Sequence, residues 1–174
     1  YSGLELIDKV FPKYGIVCDL ILAPGWSHKS TVAAIMKAKA EAINTVFTGA
    51  KALIDVDTTE VTYYSDATEW KKEQNMNDKA EILCWPMFGL GDYIFHASVH
   101  AAGLMAATDS DNGGCPAESP SNKTLQIDRA CLADGTTVLL DLNQANYLNS
   151  NGIVTALNFI GGYVLWGNET ACYP

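Results

Sequence analysis

An apolar segment, Gly152–Thr170, constrains the fold of this 174-residue chain more than any other stretch. Six of the eight residues in Ile153–Ile160 are apolar, and four more apolar residues follow the Gly161-Gly162 pair. Short runs rich in β-branched and aromatic residues are typical of strands that are covered on both faces. The glycine pair supplies backbone freedom for a turn or a bulge. The segment therefore predicts two short strands, the first in the interior of an α/β sheet.

The first third of the chain predicts a strand, a helix and a second strand. An apolar run, Ile16–Ala23, ends at Pro24-Gly25, and a second run covers Ala52–Val56. Between them, a helix that Ser27 or Ser30 can cap carries one apolar stripe, made of Val32, Ile35, Met36, Ile43, Val46 and Phe47. This order implies a right-handed crossover and a parallel pair of strands.

The remaining segments complete an α/β domain. The predicted elements are a short helix around Leu4–Phe11, a polar helix at Ser65–Met76, a strand at Ile82–Phe88, an alanine-rich helix at Tyr93–Thr108, a surface loop at Asp109–Lys123, a strand at Thr137–Leu140 after a turn at Ala133–Gly135, and a helix at Leu142–Leu148. Pro86 removes a ladder donor and places the third strand at an edge or a bulge. The predicted fold is α/β, with a mixed, largely parallel sheet flanked by helices, in a single domain covering residues 1–174.

Charge and composition exclude several classes of partner. The formal net charge is -9, and Arg129 is the one arginine among eleven basic residues. Nucleic-acid binding depends on clustered Lys and Arg, and so does docking on an anionic membrane, so neither partner is expected. No apolar run has the length of a membrane span.

Cysteine usage indicates free thiols. The five cysteines are an odd number without a C-x-x-C pair, so neither a complete disulfide framework nor a zinc site is expected. Buried or partly buried thiols in a reducing cytoplasm fit this pattern. The chain begins at Tyr1 and stops at Pro174, which predicts a fragment of a longer protein.

Two motifs resemble catalytic ones without completing them. Gly25-Trp26-Ser27-His28 follows a strand, but Lys29 replaces the second glycine of G-x-S-x-G, so we interpret Ser27 as a helix cap. His96 and His100 are spaced by one helical turn, but alanine stands where H-E-x-x-H needs glutamate. A structural histidine pair is the favoured interpretation, and a metal-ligand pair is the alternative.

Asp55 and Asp57 stand at the carboxyl end of a predicted parallel strand, where α/β sheets place ligand-binding groups. They have the chemistry to hold magnesium, but no phosphate-binding loop accompanies them, so turn formation is favoured. Gly89-Leu90-Gly91 lacks the third glycine of a dinucleotide fingerprint. Four tryptophans, Trp26, Trp70, Trp85 and Trp166, fit core or rim positions better than a ligand groove. No catalytic, cofactor or metal residue is therefore assigned.

Several segments, in the order in which they follow one another along the chain, resemble the contractile tail sheath protein family of bacteriophages. They are Leu20–Gly25 with the helix after it, Ala52–Asp57, the alanine-rich helix leading into Thr108-Asp109, Pro120–Lys123, the approach from Leu148-Asn149 to Gly152-Ile153, and Trp166-Gly167-Asn168-Glu169-Thr170. The resemblance spans most of the chain. Glu169 departs from the arginine that many members carry before the last threonine.

The resemblance implies a structural subunit that polymerises around a tail tube and contracts without nucleotide, with no enzymatic activity and no cofactor. It implies neighbouring sheath subunits, the tube protein, the baseplate and the tail terminator as partners. The location would be the tail of a virion or prophage particle, assembled in the bacterial host cytoplasm. Family members continue past the last threonine into a C-terminal domain, and their terminal arms add strands to a neighbour's sheet. The alternatives are an acidic metal-dependent hydrolase using Asp55 and Asp57 with His96 or His100, and a small-ligand module with a tryptophan-lined cleft.

Overall fold

The computed structural model describes residues 2–43 and 49–174. In these residues the strands are β1 (Leu20–Leu22), β2 (Lys51–Asp55), β3 (Glu81–Cys84), β4 (Met87–Leu90), β5 (Tyr93–Phe95), β6 (Arg129–Cys131), β7 (Ile153–Phe159) and β8 (Gly162–Trp166). The helices are α1 (Ser2–Glu5), α2 (Val10–Tyr14), α3 (Ser30–Ile43), α4 (Asp66–Glu73), α5 (Ala97–Asp111) and α6 (Leu142–Asn149), with a 3-10 turn (Leu6–Lys9) between α1 and α2.

A five-stranded sheet with the order β1-β2-β3-β7-β8 forms the centre of the molecule. β1, β2, β3 and β7 are parallel, and β8 runs antiparallel to β7. The predicted α/β class is confirmed, as is the parallel pair made by the first two strands. A second, three-stranded antiparallel sheet has the order β5-β4-β6.

The two faces of the main sheet bury different clusters. Along β2, Ala52 and Ile54 point into a cluster that includes Val32 and Met36 of α3. Leu53, between them, joins a second cluster on the opposite face with the alanines of α5 and with Phe88. Alternate residues of a strand point to opposite faces, so a near-continuous apolar run is what a doubly covered strand needs. The sheet is therefore sandwiched between α3 and α4 on one side and α5 on the other.

β7 confirms the prediction made from the apolar C-terminal segment. It lies between β3 and β8, and residues 153–157 are buried. β8 is the last strand of the sheet, but its outer side is not free. The amides of Asn122 and Leu125 donate to the carbonyls of Leu165 and Tyr163, so the loop before β6 covers this edge.

The segment Ile82–Phe88 contains the predicted third strand, but its expected place at an edge or a bulge is wrong. The segment is divided between two sheets, since β3 ends at Cys84 and β4 begins at Met87, after the cis Trp85-Pro86 bond. β3 lies in the interior of the main sheet, between β2 and β7. Pro86 falls after the last ladder residue of β3, so the missing N–H costs this strand nothing.

Two further expectations need correction. The helix predicted from Tyr93 begins at Ala97, because Tyr93–Phe95 is a strand that pairs with β4. The strand predicted at Thr137–Leu140, after the turn at residues 133–135, is not formed, and Thr137 makes only an isolated bridge to Cys131. A strand that was not predicted, β6, lies before the turn. Three-residue strands are too short to show an alternating pattern, which is why the sequence did not reveal them.

The remaining helices agree with the sequence pattern. The N-terminal helical segment ends at Gly15, whose φ of 68° gives the left-handed cap. α6 begins with a capping box in which Asp141 and Gln144 bond each other's backbone N–H groups. Val46 and Phe47 of the predicted α3 stripe lie outside the described residues.

All five cysteines are free. Cys84 and Cys131 are buried and Cys18 is half-buried, as expected, whereas Cys115 and Cys172 are exposed. In the parts of the chain that the structure describes, no helix combines the length and the apolar character needed to cross a membrane.

Candidate functional site

The Asp55 carboxylate, at the carboxyl end of β2, is a buried polar group that bonds two serines. Its Oδ1 accepts from the backbone N–H of Ser98 at 2.9 Å, and its Oδ2 accepts from the Ser98 hydroxyl at 2.7 Å. The Ser27 hydroxyl lies 3.1 Å from Oδ2 and accepts from the Asp55 N–H at 3.0 Å. Asp55 is 4% exposed, and both serines are fully buried. The cluster joins β2, the turn before α3 and the start of α5.

This arrangement gives Asp55 the role of a helix cap. Ser98 is in the first turn of α5, where backbone N–H groups have no partner within the helix, and the N-cap residue His96 makes no side-chain cap bond. A carboxylate at a helix N-terminus is stabilised both by these N–H groups and by the helix dipole. The interpretation of Ser27 as the cap of α3 is wrong, because α3 begins at Ser30 and Ser27 bonds Asp55 instead.

The cluster contains Ser, His and Asp but lacks the order of a catalytic triad. His96 Nδ1 lies 3.7 Å from Asp55 Oδ2 and makes no hydrogen bond. A triad needs the imidazole between the carboxylate and the serine, whereas here both serine hydroxyls contact the carboxylate directly. Burial and the nearby Asp55 also raise the pKa of the Cys84 thiol, which keeps it from acting as a thiolate nucleophile.

Asp57 does not join this cluster. It accepts hydrogen bonds from the Thr59 backbone N–H at 2.9 Å and from the Thr59 hydroxyl at 2.7 Å, as a turn-forming aspartate does. His28 Nε2 lies 3.9 Å away. Burial by itself would raise the pKa of Asp57, but the Thr59 bonds and His28 outweigh burial and lower it. The preferred interpretation of Asp57, a turn residue, agrees with this geometry.

The two histidines that the sequence placed one helical turn apart have separate environments. His96 precedes α5, whereas His100 lies within it and contacts the rings of Phe88 and Phe95, with centroids 5.9 and 5.4 Å away. Burial lowers the pKa of His100. Within residues 2–43 and 49–174 there is no group of three or more His, Cys, Asp or Glu side chains placed to hold a metal ion. The metal-dependent hydrolase therefore gains no support from the geometry.

The other sequence candidates also have local roles. Gly89 lies in β4, where an added Cβ would approach the Arg129 side chain to 2.6 Å, and Gly91 forms the turn to β5 with φ 57°. No helix follows these glycines directly, so they do not form a dinucleotide-binding turn.

The four tryptophans lie in four different settings rather than in one cleft. Trp26 is 61% exposed and Lys29 Nζ lies 4.4 Å from its ring centroid. Trp70 and Trp85 are in the core, and Trp85 Nε1 donates to the carbonyl of Val61. Trp166 Nε1 donates to Asn146 Oδ1 on α6 at 3.0 Å. The prediction of core and rim positions is confirmed.

The Trp166–Thr170 segment is bonded to α6 and to the loop before β6. Asn149 Oδ1 accepts from the Asn168 N–H at 3.1 Å, and the Gly167 N–H donates to the Ser121 hydroxyl at 3.2 Å. Gly167 has φ 127°, and an added Cβ would lie 3.2 Å from the Val154 Cα. This segment therefore requires glycine for conformation and for close approach to β7.

The chain then returns to the amino end of β3. The Ala171 N–H donates to the Glu81 carbonyl at 2.9 Å. Lys71 Nζ, on α4, donates to the carbonyls of Asn151 and Tyr173 at 2.6 and 2.9 Å. Lys71 is 8% exposed, and its burial lowers its pKa. One buried ammonium group thus joins the turn before β7 to the last residues of the chain.

Two residues with structural roles were not predicted from the sequence. Lys71 bonds the last residues of the chain, and Ser98 bonds Asp55. Lys71 stands in a polar helix, and the available signal was its position directly after the buried Trp70. Ser98 is 43 residues from Asp55, and nothing in the local pattern pairs them.

Together, these observations describe an α/β domain whose buried polar residues bond one another and the backbone. Residues 24–171 match the family of the phage tail sheath protein central domain. The chain belongs to this family. The resemblance inferred from the sequence motifs is thereby confirmed. No curated protein matches the chain.

Two solved structures share the fold. A cryo-EM structure of the anti-feeding prophage (AFP) baseplate, symmetrised six-fold, contains a chain with a TM-score of 0.64 and 18% identity, matched over 98% of this chain and 42% of that one. The sheath complex of an extracellular contractile injection system, PVC, in the contracted state gives a TM-score of 0.64 and 21% identity, over 97% of this chain and 44% of that one. This chain therefore spans less than half the length of the chains that it resembles.

Proposed function

We propose that this chain is the central domain of a contractile tail sheath subunit, which polymerises around a tail tube and contracts to drive the tube through a host envelope. The observation that carries the proposal is the family match over residues 24–171. The fold shared with chains from a sheath complex and a baseplate supports it. The role is structural, because the buried Asp55 cluster is occupied by bonds that hold β2 to α5.

The proposed subunit is longer than this chain. The chain covers 42% and 44% of the two chains that it resembles, which supports a C-terminal domain and terminal arms outside residues 1–174. In the full subunit, neighbouring copies, the tail tube protein, the baseplate and the tail terminator are the partners. The particle is a phage tail, a prophage tail or a related injection device, assembled in the host cytoplasm. Contraction repositions rigid subunits and needs no nucleotide.

Electron microscopy of the full-length parent protein tests this function. The protein is expressed alone and together with its tube protein, and both samples are examined by negative staining. We expect striated hollow tubes, or sleeves around a thinner tube. Residues 1–174 alone are the matched control and are expected to remain dispersed. Dispersed particles of the parent protein at high concentration, with and without the tube protein, would overturn the proposal.

A further inference from the structure

The chain contains two Asn-Gly pairs, Asn112-Gly113 and Asn151-Gly152. The side-chain amide of an asparagine before glycine is open to attack by the next backbone nitrogen, because glycine has no side chain to shield that nitrogen. The attack closes a five-membered imide ring only if the backbone between the two residues can rotate. The structure gives the two pairs very different freedom to do so.

Asn112-Gly113 lies at the exposed end of α5. Asn112 follows the last residue of the helix, and both it and the next two glycines are exposed. A Cβ added at Gly113 or Gly114 would meet nothing within 4 Å in the described part of the chain, so the space around both glycines is open. Their N–H groups donate to the carbonyls of Ser110 and Asp109 at 3.1 and 2.8 Å. These bonds belong to the end of a helix, where fraying opens them.

Asn151-Gly152 is fixed by three contacts. Asn151 Nδ2 donates to the Tyr147 carbonyl at 2.8 Å, and the Asn151 carbonyl accepts from Lys71 Nζ at 2.6 Å. Gly152 is buried, and a Cβ added there would clash with the Thr170 carbonyl oxygen, so its backbone is packed against the last residues of the chain. Rotation between Asn151 and Gly152 therefore requires buried contacts to break.

We propose that Asn112 is a site of spontaneous deamidation in the folded protein, and that the fold protects Asn151 in the same dipeptide. The Gly113 nitrogen bonds to Asn112 Cγ and the Cγ–Nδ2 bond breaks. The proton that the Gly113 nitrogen loses is taken up by the leaving nitrogen, which departs as ammonia. Water then opens the imide at either carbonyl and leaves aspartate or isoaspartate at position 112. The reaction consumes one water, releases one ammonia and needs no oxidant.

The modification changes the charge where α5 meets the loop before β6. Asn112 Nδ2 lies 3.4 Å from Glu118 Oε2, so an aspartate at position 112 faces a second carboxylate where a donor stood. Lys123 donates to Glu118 at 2.7 Å and is the cation that would balance both charges. The new charge also lies at the carboxyl end of α5, where the helix dipole disfavours an anion. Deamidation therefore weakens the contact between α5 and this loop. The inference is independent of the proposed sheath function.

Peptide mapping of the folded chain tests the proposal. The protein is incubated in mildly alkaline buffer at physiological temperature, and the amide-to-acid mass gain at each asparagine is followed by tandem mass spectrometry. Conversion at Asn112 is expected to be at least about tenfold faster than at Asn151, since two further hydrogen bonds must break at Asn151. In urea, where the fold is lost, the two rates are expected to become similar, because the dipeptide is the same.

Lys71→Met tests the protection of Asn151. It removes the donor to the Asn151 carbonyl, so conversion at Asn151 is expected to rise by about threefold or more, with no change at Asn112. Lys72→Met, at the exposed neighbouring position, is the matched control and is expected to change neither rate.

The wild-type protein alone decides the main point. Equal rates at the two asparagines in the folded chain, or faster conversion at Asn151, would overturn the proposal. So would an Asn112 that stays intact in the folded chain under conditions in which the urea-unfolded chain reacts.

Discussion

The carboxylate of Asp55 and the hydroxyl of Ser98 form a buried hydrogen bond of 2.7 Å that links the end of β2 to the first turn of α5. A second bond, from the Ser98 N–H to the same carboxylate, makes Asp55 the N-terminal cap of a helix 43 residues away in the sequence. The charge is buried, and its desolvation is offset by these donors and by the helix dipole.

Ser98→Ala is expected to lower the free energy of unfolding by about 1–3 kcal/mol, because a buried carboxylate loses a hydroxyl donor. Urea denaturation at pH 7 measures the change. Ser110→Ala, an exposed position on the same helix, is the control and is expected to change stability by less than about 0.5 kcal/mol. Equal unfolding midpoints for the two variants would show that the hydrogen bond from the Ser98 hydroxyl to Asp55 does not contribute to stability.

Gly152→Ala is expected to destabilise the fold by more than about 2 kcal/mol, because strain and a clash act together. Gly152 has φ 70°, and an added Cβ would lie 2.4 Å from the Thr170 carbonyl oxygen. Thermal and urea unfolding measure the loss. Gly103→Ala in α5 is the control, since an added Cβ there meets nothing within 4 Å. It is expected to stabilise the protein by roughly 0.5–1 kcal/mol, so the two substitutions should have opposite signs.

Lys71→Met is expected to loosen the last residues of the chain, because the Asn151 and Tyr173 carbonyls both lose their ammonium donor. The apolar part of the side chain is retained, and the loss in stability should be about 1–3 kcal/mol. Hydrogen exchange at the Ala171 and Tyr173 amides should become at least about tenfold faster, which corresponds to about 1.4 kcal/mol. Lys72→Met, at the exposed neighbouring position, should leave exchange at both amides unchanged.

Glu81→Gln is expected to change the pH dependence of stability. Burial raises the pKa of Glu81 above its ordinary 4.5, although the hydrogen bond from Asp78 and the charge of Lys37 oppose the shift. The folded state therefore binds this proton more tightly than the unfolded chain does, and the contribution of Glu81 to stability falls as the pH rises from 4.5 through the raised pKa. Glutamine keeps an acceptor for the Asp78 N–H without the charge.

The measurement is the free energy of urea unfolding of both proteins at pH 4.5 and at pH 7. The stability of Glu81→Gln relative to the wild type should be higher at pH 7 than at pH 4.5. A difference that is the same at both pH values would show that Glu81 binds its proton equally in the folded and unfolded states.

The sequence predicted those parts of the fold in which the local pattern and the burial agree. β2 and β7 are covered on both faces, and their continuous apolar runs predict this burial. β3 was misplaced because Pro86 marks an interruption but does not show that the chain enters a second sheet there. The strand at Tyr93–Phe95 has three residues, too few to compete with the alanine-rich pattern that follows.

Only one member of the cluster formed by Asp55 and Ser98 could be predicted from the sequence. The position of Asp55 at the carboxyl end of a parallel strand follows from the strand–helix–strand order. Its function as a cap depends on Ser98, which the tertiary fold brings to it. Asp57, two residues later, forms its own turn with Thr59, an interaction that local sequence rules do describe.

The return of the chain to β3 has a mechanical consequence. A pulling force applied at residue 174 is resisted first by the Lys71–Tyr173 bond and by the Ala171–Glu81 bond. Once these bonds break, the force passes along the backbone to β8, the last strand of the sheet. The bonds to α4 and β3 therefore act as a clamp that must open before the edge strand is loaded. Below the force that opens this clamp, the domain is displaced as one body.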